Sequence, residues 1–269
     1  MAPAPDLSGR IALLTGATGG IGNAIARALH RQGAAVKLSG RRAEVLEELA
    51  SELGDRAEVL PADLSNPTDV DALADRAGAV DVLVNNAALP GSGPLTDYSP
   101  EEVDRALAVN LHAPIRLTHA LLPGMLERGS GNLVYIASIS GKVPAGGASI
   151  YSATKFGLRG FAFSLHEELR GKGIGVTTVF PGFIRDAGMF ADTELKLPPG
   201  AGTRTPEQVA DGVLTGIATN RAELDVAALP QRLGGRLFGP LPRLVAWSVR
   251  ATGGERLAER MSEAQRVKR

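Results

Sequence analysis

Ile11-Ala12-Leu13-Leu14-Thr15-Gly16-Ala17-Thr18-Gly19-Gly20-Ile21-Gly22 carries a short apolar run directly into a cluster of four glycines. The run Ile11 to Thr15 has the length and continuous apolarity of a parallel strand covered on both faces. The residues after Gly19 turn to helical period, so the cluster sits where a strand hands over to a helix. Glycine there lets the backbone turn tightly and approach a diphosphate, whose charge is favoured by the free N–H groups of the helix N-terminus. Gly16, Thr18, Gly19, Gly20, Ile21 and Gly22 are therefore candidate dinucleotide contacts. The spacing is TGxxxGxG, not GxGxxG, and no GK[ST] follows, which argues against ATP hydrolysis. Taken alone, such a cluster is also what an ordinary strand-to-helix turn looks like.

Outward from this turn, apolar runs alternate with stretches of helical period. The strand candidates are Ile11 to Thr15, Ala35 to Ser39, Ala57 to Leu60, Val80 to Asn85, Asn132 to Ser138, Gly175 to Phe180 and Glu223 to Ala227. Helical patterns lie between them at about 20–32, 42–53, 67–78, 100–128, 150–171 and 206–219, with start signals at Asn66-Pro67 and Ser99-Pro100. This order predicts an α/β fold, a Rossmann-type doubly wound, mostly parallel seven-stranded sheet with helices on both faces. Residues 1–228 are expected to be one dinucleotide-binding and catalytic domain, and residues 229–269 an amphipathic basic C-terminal extension.

Composition narrows the classes of function. The 269 residues are 44% hydrophobic and 22% charged, ordinary values for a globular chain. A net charge of zero and 4% aromatic residues give no electrostatic or stacking basis for nucleic-acid binding. Cysteine is absent, so thiol catalysis and thiolate metal sites are excluded. His30, His112, His119 and His166 lack metal-ligand spacing, and no metal is expected. No Gly-x-Ser-x-Gly nucleophile motif is present. The start MAPAPDLSGR has no signal-peptide pattern, and a cytoplasmic location is expected.

Further motifs follow in order: Asp63-Leu64, Asn85-Asn86-Ala87-Ala88, Asn110, Ser138, Tyr151-Ser152-Ala153-Thr154-Lys155 and Pro181-Gly182. Tyr151 and Lys155 are four apart and share one face of a helix. An isolated pair at that spacing is usually structural; its place downstream of the glycine turn and of Ser138 changes the reading. With TGATGGIG, this series resembles the short-chain dehydrogenase/reductase family over about residues 8–220. Ala88 stands where that family usually has the glycine of NNAG.

The resemblance implies an oxidoreductase that moves a hydride between a nicotinamide cofactor and a carbonyl or secondary alcohol. Tyr151 would be the general acid/base, Ser138 would hydrogen-bond the reacting oxygen, Lys155 would hold the nicotinamide ribose, and Asn110 would help a water chain feed the lysine. A tyrosine of pKa about 10 needs nearby positive charge to ionise, which Lys155 and the oxidised nicotinamide could supply. Asp63, Leu64, Asn86, Ala87, Ala88, Pro181, Gly182 and Ile184 would complete the cofactor contacts. The second strand ends at Gly40, where NAD-preferring relatives carry an acid. Arg41, assisted by Ser39 and Arg42, could instead grip a 2′-phosphate, so NADP(H) is favoured over NAD(H).

Phe183 to Thr205 reads as a lid, with Phe183, Met189, Phe190 and Leu195 able to face an apolar substrate. Asp186 stands where the family often has threonine. After Leu229 the chain carries Leu237-Phe238, Leu241, Leu244-Val245, Trp247 and Val249 among arginines, then a charged helical end from Glu255. That extension could meet a membrane surface, cover the cleft, join a homodimer or homotetramer, or pack on its own domain. Two other readings of the whole chain are a catalytically silent nicotinamide-binding regulator or scaffold, and a lyase or epimerase on the same fold.

Overall fold

The computed structural model describes residues 4–193, 197, 202–251 and 254–265. Seven strands form one sheet: β1 (Ile11–Thr15), β2 (Ala35–Gly40), β3 (Ala57–Pro61), β4 (Val82–Asn85), β5 (Gly131–Ile136), β6 (Ile174–Pro181) and β7 (Glu223–Val226). Their order is β3-β2-β1-β4-β5-β6-β7, and all six pairings are parallel. The chain builds outward from β1 to β3, then crosses back to lay β4 on the other side of β1. Between β1 and β4 the strand order therefore reverses, which opens a crevice at the carboxyl ends of the strands.

Helices cover both faces because the sheet is apolar on both. Helices α1 (Gly20–Arg31), α2 (Ala43–Leu53) and α7 (Pro206–Thr219) place Ile25, Leu29, Leu46 and Val213 in one core with Leu14, Leu38 and Val84. Helices α3 (Pro67–Ala77), α5 (Ala113–Arg128) and α6 (Ser149–Glu168) place Leu73, Leu117 and Leu158 in the other, with Leu13, Leu83 and Leu133. The expected fold class is the observed one, and the expected helix starts hold: Asn66 accepts from the Thr68 N–H at 3.0 Å, and Ser99 and Glu102 form a reciprocal cap on α4 (Pro100–Leu107).

The expected continuous helix over 100–128 is instead two helices, α4 and α5, joined by a π-helical turn at Ala108–His112. Pro114 gives a physical reason: it has no N–H to close the α-helical bond to the carbonyl of Asn110, so the ladder loosens there. At the sheet's β7 edge Lys142 is buried, with Nζ 2.6 Å from Asp225 Oδ1, 3.0 Å from Glu223 Oε2 and 3.9 Å from the centre of the Phe180 ring. Beyond the sheet lie α8 (Leu229–Leu237), α9 (Pro242–Ala251) and α10 (Gly254–Gln265). Leu195 of the expected lid lies outside the described residues.

Candidate active site

The polar residues of the cleft come from the end of β5 and the start of α6. Ser138 follows β5 in extended conformation and caps a short turn, its Oγ accepting the Ser140 N–H at 3.1 Å. Tyr151 and Lys155 lie one turn apart on α6. Lys155 is 2% exposed; its Nζ donates to the Ile136 carbonyl at 2.9 Å and sits 5.5 Å from the centre of the Tyr151 ring. Gly91 allows this seating, since a Cβ there would lie 2.8 Å from Tyr151 Cβ.

Burial governs the protonation of both groups. It pushes the Tyr151 phenol up to about 12, with hydrogen bonding from Ser138 pulling the other way. It lowers the Lys155 ammonium to about 8. Lys155 is expected to favour the phenolate, but in this cleft desolvation dominates, and the opposing contribution is the hydrogen bond with Ser138. At neutral pH the phenol keeps its proton and is poised to donate it.

The cleft has a volume of about 280 Å³ and runs from Ile21 in the glycine turn past Ala88 to Ser138, Tyr151 and Lys155. Asn86, Pro181, Gly182 and Ile184 also line it. At the turn, Gly16 has φ of 69°, and a Cβ there would lie 2.7 Å from Ala87 Cα, so only glycine fits. Asn86 stitches this turn to the end of β4: its Nδ2 donates to the carbonyls of Thr15 at 3.0 Å and Gly16 at 3.1 Å. Thr15 Oγ1 in turn accepts the N–H groups of Asn86 and Ala87. Gly22 packs against the Gly16 carbonyl inside the turn and Gly20 against Ala187 of the lid, while a Cβ on Gly19 would meet only the Gly16 carbonyl, at 3.6 Å.

Three starts of long helices carry side-chain caps, on α3, α4 and α7. Helix α1 begins after Gly19 with no side-chain cap and no acid in its first turn, and what sets it apart from α6 and α8, which share these features, is its place at the switch point of the sheet. Its first N–H groups are thus left for a ligand, as the diphosphate of a dinucleotide requires. Further along, Arg42 is exposed and donates from Nη2 to the Thr18 carbonyl at 2.8 Å, and Arg41 beside it is exposed. Burial would raise the Asp63 carboxyl, but hydrogen bonds from Ser65 and the charges of Arg41 and Arg105 hold it below the usual range. Leu64 is buried beneath it.

Two expected contacts change on inspection of the geometry. Ser39 is fully buried with its hydroxyl unpartnered, so its side chain does not reach the surface where Arg41 stands. Asn110 uses both ends of its side chain on the backbone of Leu89, accepting the N–H at 2.7 Å and donating to the carbonyl at 2.9 Å. Covering the cleft is one of the roles open to the C-terminal extension, and Val249, Met261 and Gln265 do line it, although Met261 and Gln265 carry no signal in the sequence. Gln265 Nε2 donates to the Met189 carbonyl at 2.9 Å, tying α10 to the lid, and the Phe183 and Phe190 rings pack 5.0 Å apart beneath. Helical period alone could point to an inner face on α9, but not to what it meets. His166 Nδ1 lies 2.8 Å from the Val176 carbonyl, a structural contact. Among the described residues no group of histidine and carboxylate side chains could hold a metal.

A parallel sheet with a glycine turn at its switch point defines a Rossmann-type nucleotide-binding fold, and residues 10–197 match the family model described as short chain dehydrogenase. The chain belongs to the short-chain dehydrogenase/reductase family and is an oxidoreductase. It is 47% identical over 186 residues to nodulation protein G of a Rhizobium species, covering 68% of this chain and 76% of that protein. It is 38% identical over 231 residues to the ketoacyl reductase HetN of a Nostoc species, covering 83% and 80%. A solved short-chain dehydrogenase from Sphingobium yanoikuyae in complex with NADPH superposes with a TM-score of 0.75 at 30% identity, covering 87% of this chain and 96% of that one.

Proposed function

We propose that the chain reduces a carbonyl group of an apolar substrate with NADP(H). The observation that carries this reading is one cleft in which Ser138, Tyr151 and Lys155 stand together, with the uncapped start of α1 near its other end. NADPH, when bound, supplies the hydride. Tyr151 donates its phenolic proton to the carbonyl oxygen as negative charge develops there, and Ser138 holds the same oxygen by a hydrogen bond. Lys155 faces the phenol from within the protein and holds the nicotinamide ribose. In the reverse direction Tyr151 accepts the proton of the alcohol.

The side chain of Asn110 is occupied, so its part in supplying protons to Lys155 passes to its carbonyl, which Pro114 releases from α-helical pairing. Arg41, assisted by Arg42, holds the 2′-phosphate through guanidinium donors, and no carboxylate at Gly40 opposes it. The apolar lining given by Phe183, Phe190 and Val249, together with the named activity of the Nostoc relative, supports a 3-oxoacyl thioester or a similar apolar ketone as substrate. Exposed Leu126 on α5 and Phe163 on α6 support assembly as a homodimer or homotetramer.

The test is NADPH consumption by the purified protein with 3-oxoacyl thioesters, ketones, aldehydes and steroids. Turnover of at least one of these, with kcat/KM higher for NADPH than for NADH, is expected. NADPH binding without turnover of any of them would instead favour a silent regulator, and a ratio favouring NADH would overturn the cofactor assignment.

A further inference from the structure

Nine large apolar side chains stay exposed among the described residues, and six of them lie in one stretch: Leu229, Leu233, Leu237, Leu241, Leu244 and Trp247. Leu229, Leu233 and Leu237 share one face of α8 and Leu244 and Trp247 one face of α9, since residues three or four apart share a helix face, and Leu241 lies in the turn between the two helices. The opposite sides of these helices are already used. Gly235 of α8 packs on Ile139 and Lys142, and the Phe238 ring just after α8 meets Phe156, centres 6.5 Å apart. Val245 of α9 is buried and Val249 lines the cleft. Each apolar stripe is the face left over, with Leu229 and Trp247 each more than 60% exposed.

Charge decides what fits it. Residues 229–251 contain Arg232, Arg236, Arg243 and Arg250 and no acidic residue. On helical geometry the arginines of each helix fall along one flank of its apolar stripe, and Arg236, Arg243 and Arg250 are exposed. An apolar strip with tryptophan and leucine beside a row of arginines matches a helix lying in the headgroup region of an anionic bilayer. A two-fold contact between copies would set these like charges against one another. Among the described residues no helix is long and apolar enough to cross a membrane, so the face can lie on a bilayer but not span it.

We propose that the α8–α9 face docks on the surface of an anionic lipid membrane. This is independent of the hydride-transfer reading, because docking is measured with no substrate or cofactor present. The experiment is co-sedimentation of the full chain with vesicles of phosphatidylcholine containing phosphatidylglycerol, against vesicles of phosphatidylcholine alone. Binding to the anionic vesicles, weakened by salt, is the expected result. The double variant Leu233→Glu with Leu237→Glu should abolish it, while Arg236→Glu with Arg243→Glu should weaken it by at least about fivefold for each arginine lost. A far-ultraviolet circular dichroism spectrum and a melting temperature like those of the wild type check that each variant keeps the fold, as expected for exposed positions. Failure of the wild-type chain to bind anionic vesicles at low salt overturns the proposal. So does unchanged binding by the leucine variant, or a wild-type dimer in the ultracentrifuge that the leucine variant splits while vesicle binding persists.

Discussion

The two walls of the cleft are built on different principles. One wall is the carboxyl edge of the sheet, where Ser138, Lys155 and the glycine turn are fixed by hydrogen bonds to strand ends: Lys155 to Ile136, Asn86 to Thr15 and Gly16. The other wall is added from the lid, α9 and α10; the Phe183 and Phe190 rings pack within the lid, and Gln265 is among the residues that join α10 to it. The first wall cannot shift without breaking the sheet, so it suits groups whose placement sets a reaction rate. The second can change its residues while the sheet stays intact, so it suits discrimination between substrates. Chemistry and selectivity are thus carried by parts of different rigidity.

This contrast can be broken most directly at the fixed wall. Tyr151→Phe removes one oxygen and should lower kcat by about 10²- to 10⁴-fold while NADPH binding, followed by cofactor fluorescence, is retained. Activity close to wild type would mean that the proton comes from elsewhere.

The next effect is a pH dependence. Lys155, lowered to about 8 by burial, is charged below that value and neutral above it, whereas the phenol at about 12 keeps its proton across this range. In the direction of reduction, kcat/KM for NADPH, which reports the free enzyme, should therefore be level below about pH 8 and fall about tenfold per unit above it. A profile flat to pH 10 would remove the charged lysine from the mechanism.

The smallest effect belongs to the added wall. Gln265→Ala takes away the contact to Met189, worth about 1 kcal/mol for an ordinary hydrogen bond, and should raise KM for the carbonyl substrate about fivefold with kcat nearly unchanged. A large loss of kcat would show that the two walls are not separate in function.

Most of the fixed wall was legible in the sequence, the glycine turn from local rules and the Ser138, Tyr151 and Lys155 set from the family resemblance. A strand followed by TGATGGIG, a tyrosine and lysine one turn apart, and proline-marked helix starts at Asn66 and Ser99 are all decided by neighbours in the chain. The limits of local reading show at particular residues. Ser39 stands two residues before Arg41 in sequence, but it lies within β2, whose two faces are both covered by helices, whereas Arg41 stands beyond the strand end and is exposed. Pro114 sits in plain view, yet its effect on Asn110 emerges only with the π turn and the clamp on Leu89. Lys142 carries no signal in the sequence, yet it is buried beside Asp225 and Glu223, more than eighty residues away.

By itself the sequence determined the order of strands and helices, the glycine turn, the lack of an acid at the end of β2, and the tyrosine–lysine pair. The first two follow from backbone geometry and local pattern, whereas the missing acid and the tyrosine–lysine pair take their meaning from the family resemblance. Only the tertiary structure decided the proton state of Tyr151 and Lys155 and the closure of the cleft by α9 and α10. Those depend on which distant segments exclude water from a group, and that is a property of packing, which no local pattern contains.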